Sequence, residues 1–176
     1  MLRAYSVALA AMFCLAAPNL AFAHITFETA TAPAGSTYKA VLRVPHGCAG
    51  SPTTSIRVQI PEGVRQAKPM PKAGWTLTVK KHKLAQPYDW YGTKVEEDVS
   101  EIDWSGGNLS DAFYDEFVFR AKLPEDEGKI IRFPVIQTCA QGQEKWIEIP
   151  ANGQDDDSVE SPAPGVKLGK KSSQDD

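Results

Sequence analysis

From Tyr38 to Pro150 the chain alternates apolar and polar side chains in one short run after another. A period of two is the signature of a strand, whose successive side chains point to opposite faces. Residues 38–44 alternate and stop at Pro45, and residues 55–60 alternate and stop at the turn signal Pro61-Glu62-Gly63. Residues 75–80 repeat the pattern, and residues 101–104 form a shorter run closed by Ser105-Gly106-Gly107. Residues 115–121 set Phe117, Phe119 and Ala121 against Glu116, Val118 and Arg120. Runs at 130–135 and 145–150 complete the set. No stretch carries a helical period, and residues 108–112 offer at most one helical turn. Strands every ~10–20 residues with Pro or Gly between them predict an all-β, antiparallel β-sandwich.

The start of the chain reads as an address. Arg3 supplies a positive charge, residues 7–17 form an apolar run too short for a membrane span, and Ala21-Phe22-Ala23 has the small-x-small pattern of a cleavage point. Residues 1–23 are therefore expected to be a signal peptide, with Cys14 discarded in it. Cleavage between Ala23 and His24 leaves His24 as the first residue. An N-terminal histidine can chelate a metal through its α-amine and ring Nδ1, with the following amide alongside. Nitrogen donors in a plane suit Cu(II) better than Mg or Ca, and copper tops the divalent affinity order.

Without the leader, 153 residues remain, enough for one domain, with 22 acidic against 18 basic residues. No basic stripe points to nucleic acid, and no apolar run approaches the ~20 residues of a membrane helix. The expected place is the periplasm or outside the cell, with no membrane span in the mature protein. Cys48 and Cys139 remain, and an oxidising compartment favours joining them. The loop of about 90 residues would contribute about 4 kcal/mol on the entropy model. The rival reading is a thiolate copper site, since Cys48 lies two residues from His46. Residues 153–176, rich in Asp, Ser, Pro and Lys, are expected to be a polar tail that is disordered over most of its length; Val166-Lys167-Leu168 is its only apolar point, with docking on the sandwich as the alternative to a solvated tail.

Other candidates stand beside plainer readings. Glu28 shares a strand face with His24 and can offer an oxygen ligand, although a solvated carboxylate is the commoner case. His46, in Val44-Pro45-His46-Gly47-Cys48, sits on a loop that a disulfide would hold rigid. Its plain alternative is a surface histidine. Trp146 can shield a metal from water or simply be core. Glu116 faces away from Phe117 and Phe119, as a supporting carboxylate or a solvated one. His82 lies among Lys80, Lys81 and Lys83 and reads as solvated. Trp75 and Trp104 read as core. Met70 stands alone, unlike the Met-rich run of a Cu(I) carrier. No G-x-G-x-x-G, P-loop or G-x-S-x-G motif suggests an enzyme.

An ordered set of short motifs adds a resemblance. It comprises Ala23-His24-Ile25-Thr26, Ala34-Gly35-Ser36, Arg43-Val44-Pro45, the run from Thr53 through Val64, and Gly74-Trp75. It continues with Ile102-Asp103-Trp104-Ser105-Gly106-Gly107, Asp115-Glu116-Phe117-Val118-Phe119 and Phe133-Pro134-Val135-Ile136-Gln137. From about His24 to Pro150 the chain resembles the YcnI-like copper-binding domain family. The resemblance implies an immunoglobulin- or fibronectin-like sandwich over residues 24–152, exported and placed in copper handling. It also implies one Cu(II) held by the mature N-terminal histidine, with a carboxylate and a tryptophan nearby. His24 matches that histidine and Trp146 best matches the tryptophan. Some members carry Glu after the Val-Pro where this chain has His46, so His46 can replace that ligand, with Glu28 and Glu116 as other options.

The expected function is that of a periplasmic Cu(II) chaperone or buffer, which ligates and exchanges copper with other exported copper proteins and catalyses nothing. Two rivals come from other classes. One is an oxidative copper enzyme in which His46 completes a histidine brace. The other is a metal-free adhesion or structural sandwich.

Overall fold

The computed structural model describes residues 24–171. The leader assignment, including the Ala23 side of the cleavage point, lies outside the described residues.

Two antiparallel sheets build the sandwich. One has the order β1 (Thr26–Phe27), β3 (Thr37–Val44), β8 (Asp115–Lys122) and β5 (Arg65–Pro69). The other has the order β11 (Gln143–Trp146), β10 (Val135–Cys139), β4 (Thr53–Gln59), β7 (Thr93–Leu109) and β6 (Thr76–Trp90). The two-residue period accounts for the core. Tyr38, Ala40, Leu42 and Val44 on β3 and Phe117, Phe119 and Ala121 on β8 are buried. They face the buried Ile56 and Val58 of β4, Ile102 and Trp104 of β7, and Val135 of β10 in one apolar cluster. Aromatic edges interlock across the gap, with Trp104 and Phe117 centroids 5.6 Å apart and Phe27 and Phe133 5.2 Å apart. Such offset pairs contribute about 0.5–1.5 kcal/mol beyond their burial.

Several predicted elements differ in extent. Pro134 splits the run at 130–135 into β9 (Ile130–Arg132) and β10, because proline has no N–H to give a ladder. The runs at 75–80 and 101–104 are only the base of the β6–β7 hairpin. Its outer half continues to a two-residue turn in which Tyr91 (φ 50°) and Gly92 (φ 80°) both take positive φ, matching the twist of a hairpin. Pro87 is tolerated there because β6 is an edge strand, and the register shifts between Lys83 and Tyr88. The helical turn at 108–112 is instead the end of β7 followed by a reverse turn, closed by Phe113 N–H donating to Ser110 O at 3.0 Å.

The C-terminal tail is the main correction to the fold. Residues 153–176 do not all leave the domain. β12 (Gly165–Gly169) inserts between β2 (Thr31–Pro33) and β9, parallel to the first and antiparallel to the second. Val166 and Leu168 are buried at 0% and 1% exposure, as deeply as any core residue, and Ala163 beside them is also buried. Lys167 N–H donates to Ala30 O and Leu168 N–H to Lys129 O, each at 2.8 Å. Composition averaged over the tail hides this. Two apolar residues at i and i+2 suffice for a strand when a waiting pair of strands supplies the backbone partners. Among the described residues no helix is long and apolar enough to cross a membrane.

Candidate functional site

His24 stands just before β1. Ile25 and Phe27 turn into the core at 1% and 4% exposure, which leaves His24 on the opposite side of the strand, half-buried. His46 follows β3 directly after Pro45, which ends the strand. Trp146 closes β11, pairs in register with Val135, and is buried at 4% exposure. These separate chain positions meet around one indole. The Trp146 ring centroid lies 6.0 Å from that of His24 and 6.2 Å from that of His46, both edge-on.

A residue not among the sequence candidates holds this arrangement. Gln137 of β10 is fully buried. Its Oε1 accepts the Trp146 Nε1–H at 3.0 Å, while its Nε2 donates to His46 O at 2.7 Å and Thr53 Oγ1 at 2.8 Å. A buried amide costs free energy unless its groups are bonded, and here both ends are. Gln137 thus fixes the indole and the backbone of His46 in one step. Its sequence signal was faint: a lone polar residue at an inward position of the run Val135-Ile136-Gln137.

The His46 loop is held from three further sides. Cys48 and Cys139 form a disulfide, so the thiolate copper reading is set aside: both sulfurs are consumed. Asp111 Oδ1 accepts the Gly47 N–H at 2.9 Å. Cys48 and Ser51 exchange backbone hydrogen bonds around Ala49 and Gly50, both at positive φ. Within this loop the His46 Nδ1 donates to Gly47 O at 2.5 Å. A carbonyl can only accept, so this contact places a proton on Nδ1; in the neutral ring that leaves the lone pair on Nε2, the arrangement common to metal-binding histidines.

Gly47 has a steric role. A Cβ built there would lie 1.9 Å from the Ser51 carbonyl oxygen. Gly47→Ala is expected to cost about 2 kcal/mol or more, because backbone has to move. The check is a thermal melt beside wild type, and an unchanged midpoint would show that the turn yields without strain.

The two carboxylate candidates, Glu28 and Glu116, make their contacts with residues other than His24. Glu28 lies four residues after His24, at the bend that follows β1. Its carboxylate is 4.0 Å from the Arg43 guanidinium. Arg43 is also the cross-strand partner of Glu116, and Glu116 accepts the Tyr114 hydroxyl proton. That hydrogen bond, first among its causes, raises the Tyr114 pKa. Nearby, burial and then the charge of Glu28 push Tyr38 up to about 12, so its hydroxyl stays protonated and donates to Thr29 O at 2.6 Å. Glu28 therefore pairs with Arg43, and Glu116, opposite Arg43 in the β3–β8 register, is bonded to Tyr114.

His82, expected to be solvated, is half-buried. Its Nδ1 is enclosed without a hydrogen-bond partner, and it lines a cavity of about 360 Å³ with Tyr88 and Asp98. Asp98, 6% exposed, accepts from Tyr88 Oη at 2.5 Å and from Gln66 N–H at 3.0 Å, using its carboxylate to pin the base of the hairpin. Among the described residues no group of three or more His, Cys, Asp or Glu side chains is arranged to hold a metal ion. A tight site near His24 would therefore need main-chain nitrogen as well as side chains.

The fold has a solved counterpart. An uncharacterized protein from Nocardia farcinica, whose crystal structure reveals an immunoglobulin-like fold, is 25% identical. The likeness covers 83% of this chain and 98% of that one, with a TM-score of 0.63. No curated protein matches the chain. The family model for a domain of unknown function, DUF1775, matches residues 24–168, reaching β12 at the end predicted to be a tail. The chain therefore belongs to the DUF1775 family, the YcnI-like family that its motifs resemble, and has that family's immunoglobulin-like β-sandwich.

Proposed function

We propose that this protein is an exported Cu(II)-binding chaperone or buffer that takes copper at His24 and releases it to other exported copper proteins. The observation that carries the reading is that His24 and His46 each pack against one buried indole, Trp146, whose orientation Gln137 fixes. Once cleavage frees its amine, His24 offers two nitrogens from one residue, and His46 adds an imidazole whose lone pair lies on Nε2. With the two cysteines joined, the donors are nitrogen and oxygen, a set suited to Cu(II) rather than to Cu(I) carriage by sulfur. Trp146 limits water on one side. Ligation and exchange, not turnover, is the activity this set supports.

The test uses protein exported from its own leader, with intact mass to confirm a start at His24, then Cu(II) titration against a competing chelator. One extra residue ahead of His24 should weaken binding by at least about 100-fold, beyond the loss typical of removing a supporting partner. His24→Ala should do no worse. Equal affinity in the extended protein would exclude the amine as a ligand and leave a metal-free sandwich as the better reading.

A further inference from the structure

Residues 153–164 do not hang free before they enter β12. They form a strap that passes beside His24. Its single 3-10 turn, Asp156–Ser158, carries adjacent carboxylates with different tasks. Asp156 is taken: its Oδ1 accepts from Arg132 Nη2 at 2.6 Å, while Arg132 Nη1 donates to Ala163 O at 2.9 Å. Beyond the turn, Ser161 N–H donates to Glu148 Oε2 at 2.6 Å and Ala163 N–H to Glu148 O at 2.8 Å. The strap is thus fastened to β9 and to the chain after β11. Asp157 is the carboxylate this fastening turns toward His24. Its Oδ1 lies 4.0 Å from His24 Nδ1, the ring nitrogen an N-terminal chelate uses. His24, Asp156 and Asp157 line a common cavity of about 220 Å³ with Thr26, Pro162 and Pro164.

We propose that Asp157 is the oxygen ligand of the metal bound at His24, so that the C-terminal strap completes a site begun at the N-terminus. The inference rests on the copper reading above. Two donors on one first-row ion, each at about 2.1 Å, stand about 3 Å apart when adjacent and about 4.2 Å apart when opposite. The observed separation falls inside that span, so one ion can bridge the two with little movement of the turn. The rival carboxylates are engaged elsewhere, Glu28 with Arg43, Glu116 with the Tyr114 hydroxyl and Asp156 with Arg132. The Asp157 side chain is 94% exposed, so its charge loses little hydration before a metal arrives and the ligand can leave again into water. A ligand of that kind suits a site that must release its ion.

The experiment compares Cu(II) affinity and the electron paramagnetic resonance spectrum of wild type, Asp157→Asn, Asp155→Asn and the N-terminally extended protein. Asp157→Asn should bind about tenfold or more weakly with a changed spectrum, and Asp155→Asn should match wild type. Copper should also slow amide exchange across 154–160 in wild type and not in Asp157→Asn. Tight wild-type binding with Asp157→Asn unchanged in affinity, spectrum and exchange overturns the assignment and leaves His24 as the copper residue. Wild type binding no better than the extended protein overturns both.

Discussion

A chain ending at Ser161 is expected to lose about 4–6 kcal/mol of folding stability, enough to unfold many domains of this size. The loss has two parts. Val166 and Leu168 are buried at 0% and 1% exposure, and full burial of such side chains is worth about 1.5–3 kcal/mol each. Removing β12 also strips β2 and β9 of their common neighbour, leaving backbone groups of Ala30 and Lys129 without their present partners. The double substitution Val166→Ala, Leu168→Ala keeps the strand backbone and isolates the first part, with an expected loss of about 3 kcal/mol. Both are read by urea unfolding followed through tryptophan fluorescence. If the truncated chain unfolds at the same urea concentration as the full one, β12 is an ornament on the sandwich rather than part of it.

The second large effect belongs to the disulfide. Cys48 and Cys139 are separated by 91 residues, and tying a loop that long restricts the unfolded chain by about 4 kcal/mol on the entropy model. Replacing both cysteines by serine should lower stability by about that amount. Reducing wild type should do the same, and the double variant should no longer respond to reductant. The bond also anchors the turn after His46, so on the proposed copper reading Cu(II) affinity should fall further than stability alone explains, and His46→Ala should remove that extra sensitivity. Coincident unfolding of oxidised and reduced wild type would show that the surrounding ladder, not the bond, sets the stability.

Legibility in the sequence followed the range of the interaction. Alternation in residues 38–44, 55–60 and 115–121 depends only on each residue's two faces, so those strands and their core residues Leu42, Val58, Phe117 and Phe119 were readable directly. So was the pairing of Cys48 with Cys139, since two cysteines allow one intramolecular bond. The length of the β6–β7 hairpin was not. Its outer half is an edge ribbon rich in Lys and Glu, held by backbone pairing that side-chain polarity does not report. The candidate site divides in the same way. His24, His46 and Trp146 could be named from the leader motif, the Val-Pro-His turn and the family pattern. That they share one indole could not, since His24 and Trp146 come from opposite ends of the domain.

What the sequence by itself determined is therefore local: strand faces, turns at Pro and Gly, and the single cysteine pair. Tertiary structure decided which partners those residues meet. It drew Glu28 to Arg43, set Gln137 between Trp146 and His46, and brought Asp157 beside His24. It also turned Val166-Lys167-Leu168 into a core strand. The physical reason is that a face or a turn is fixed by neighbours a few residues away. Ion pairs, buried amides and an inserted strand depend on backbone and charge that distant segments supply only after the sandwich has closed.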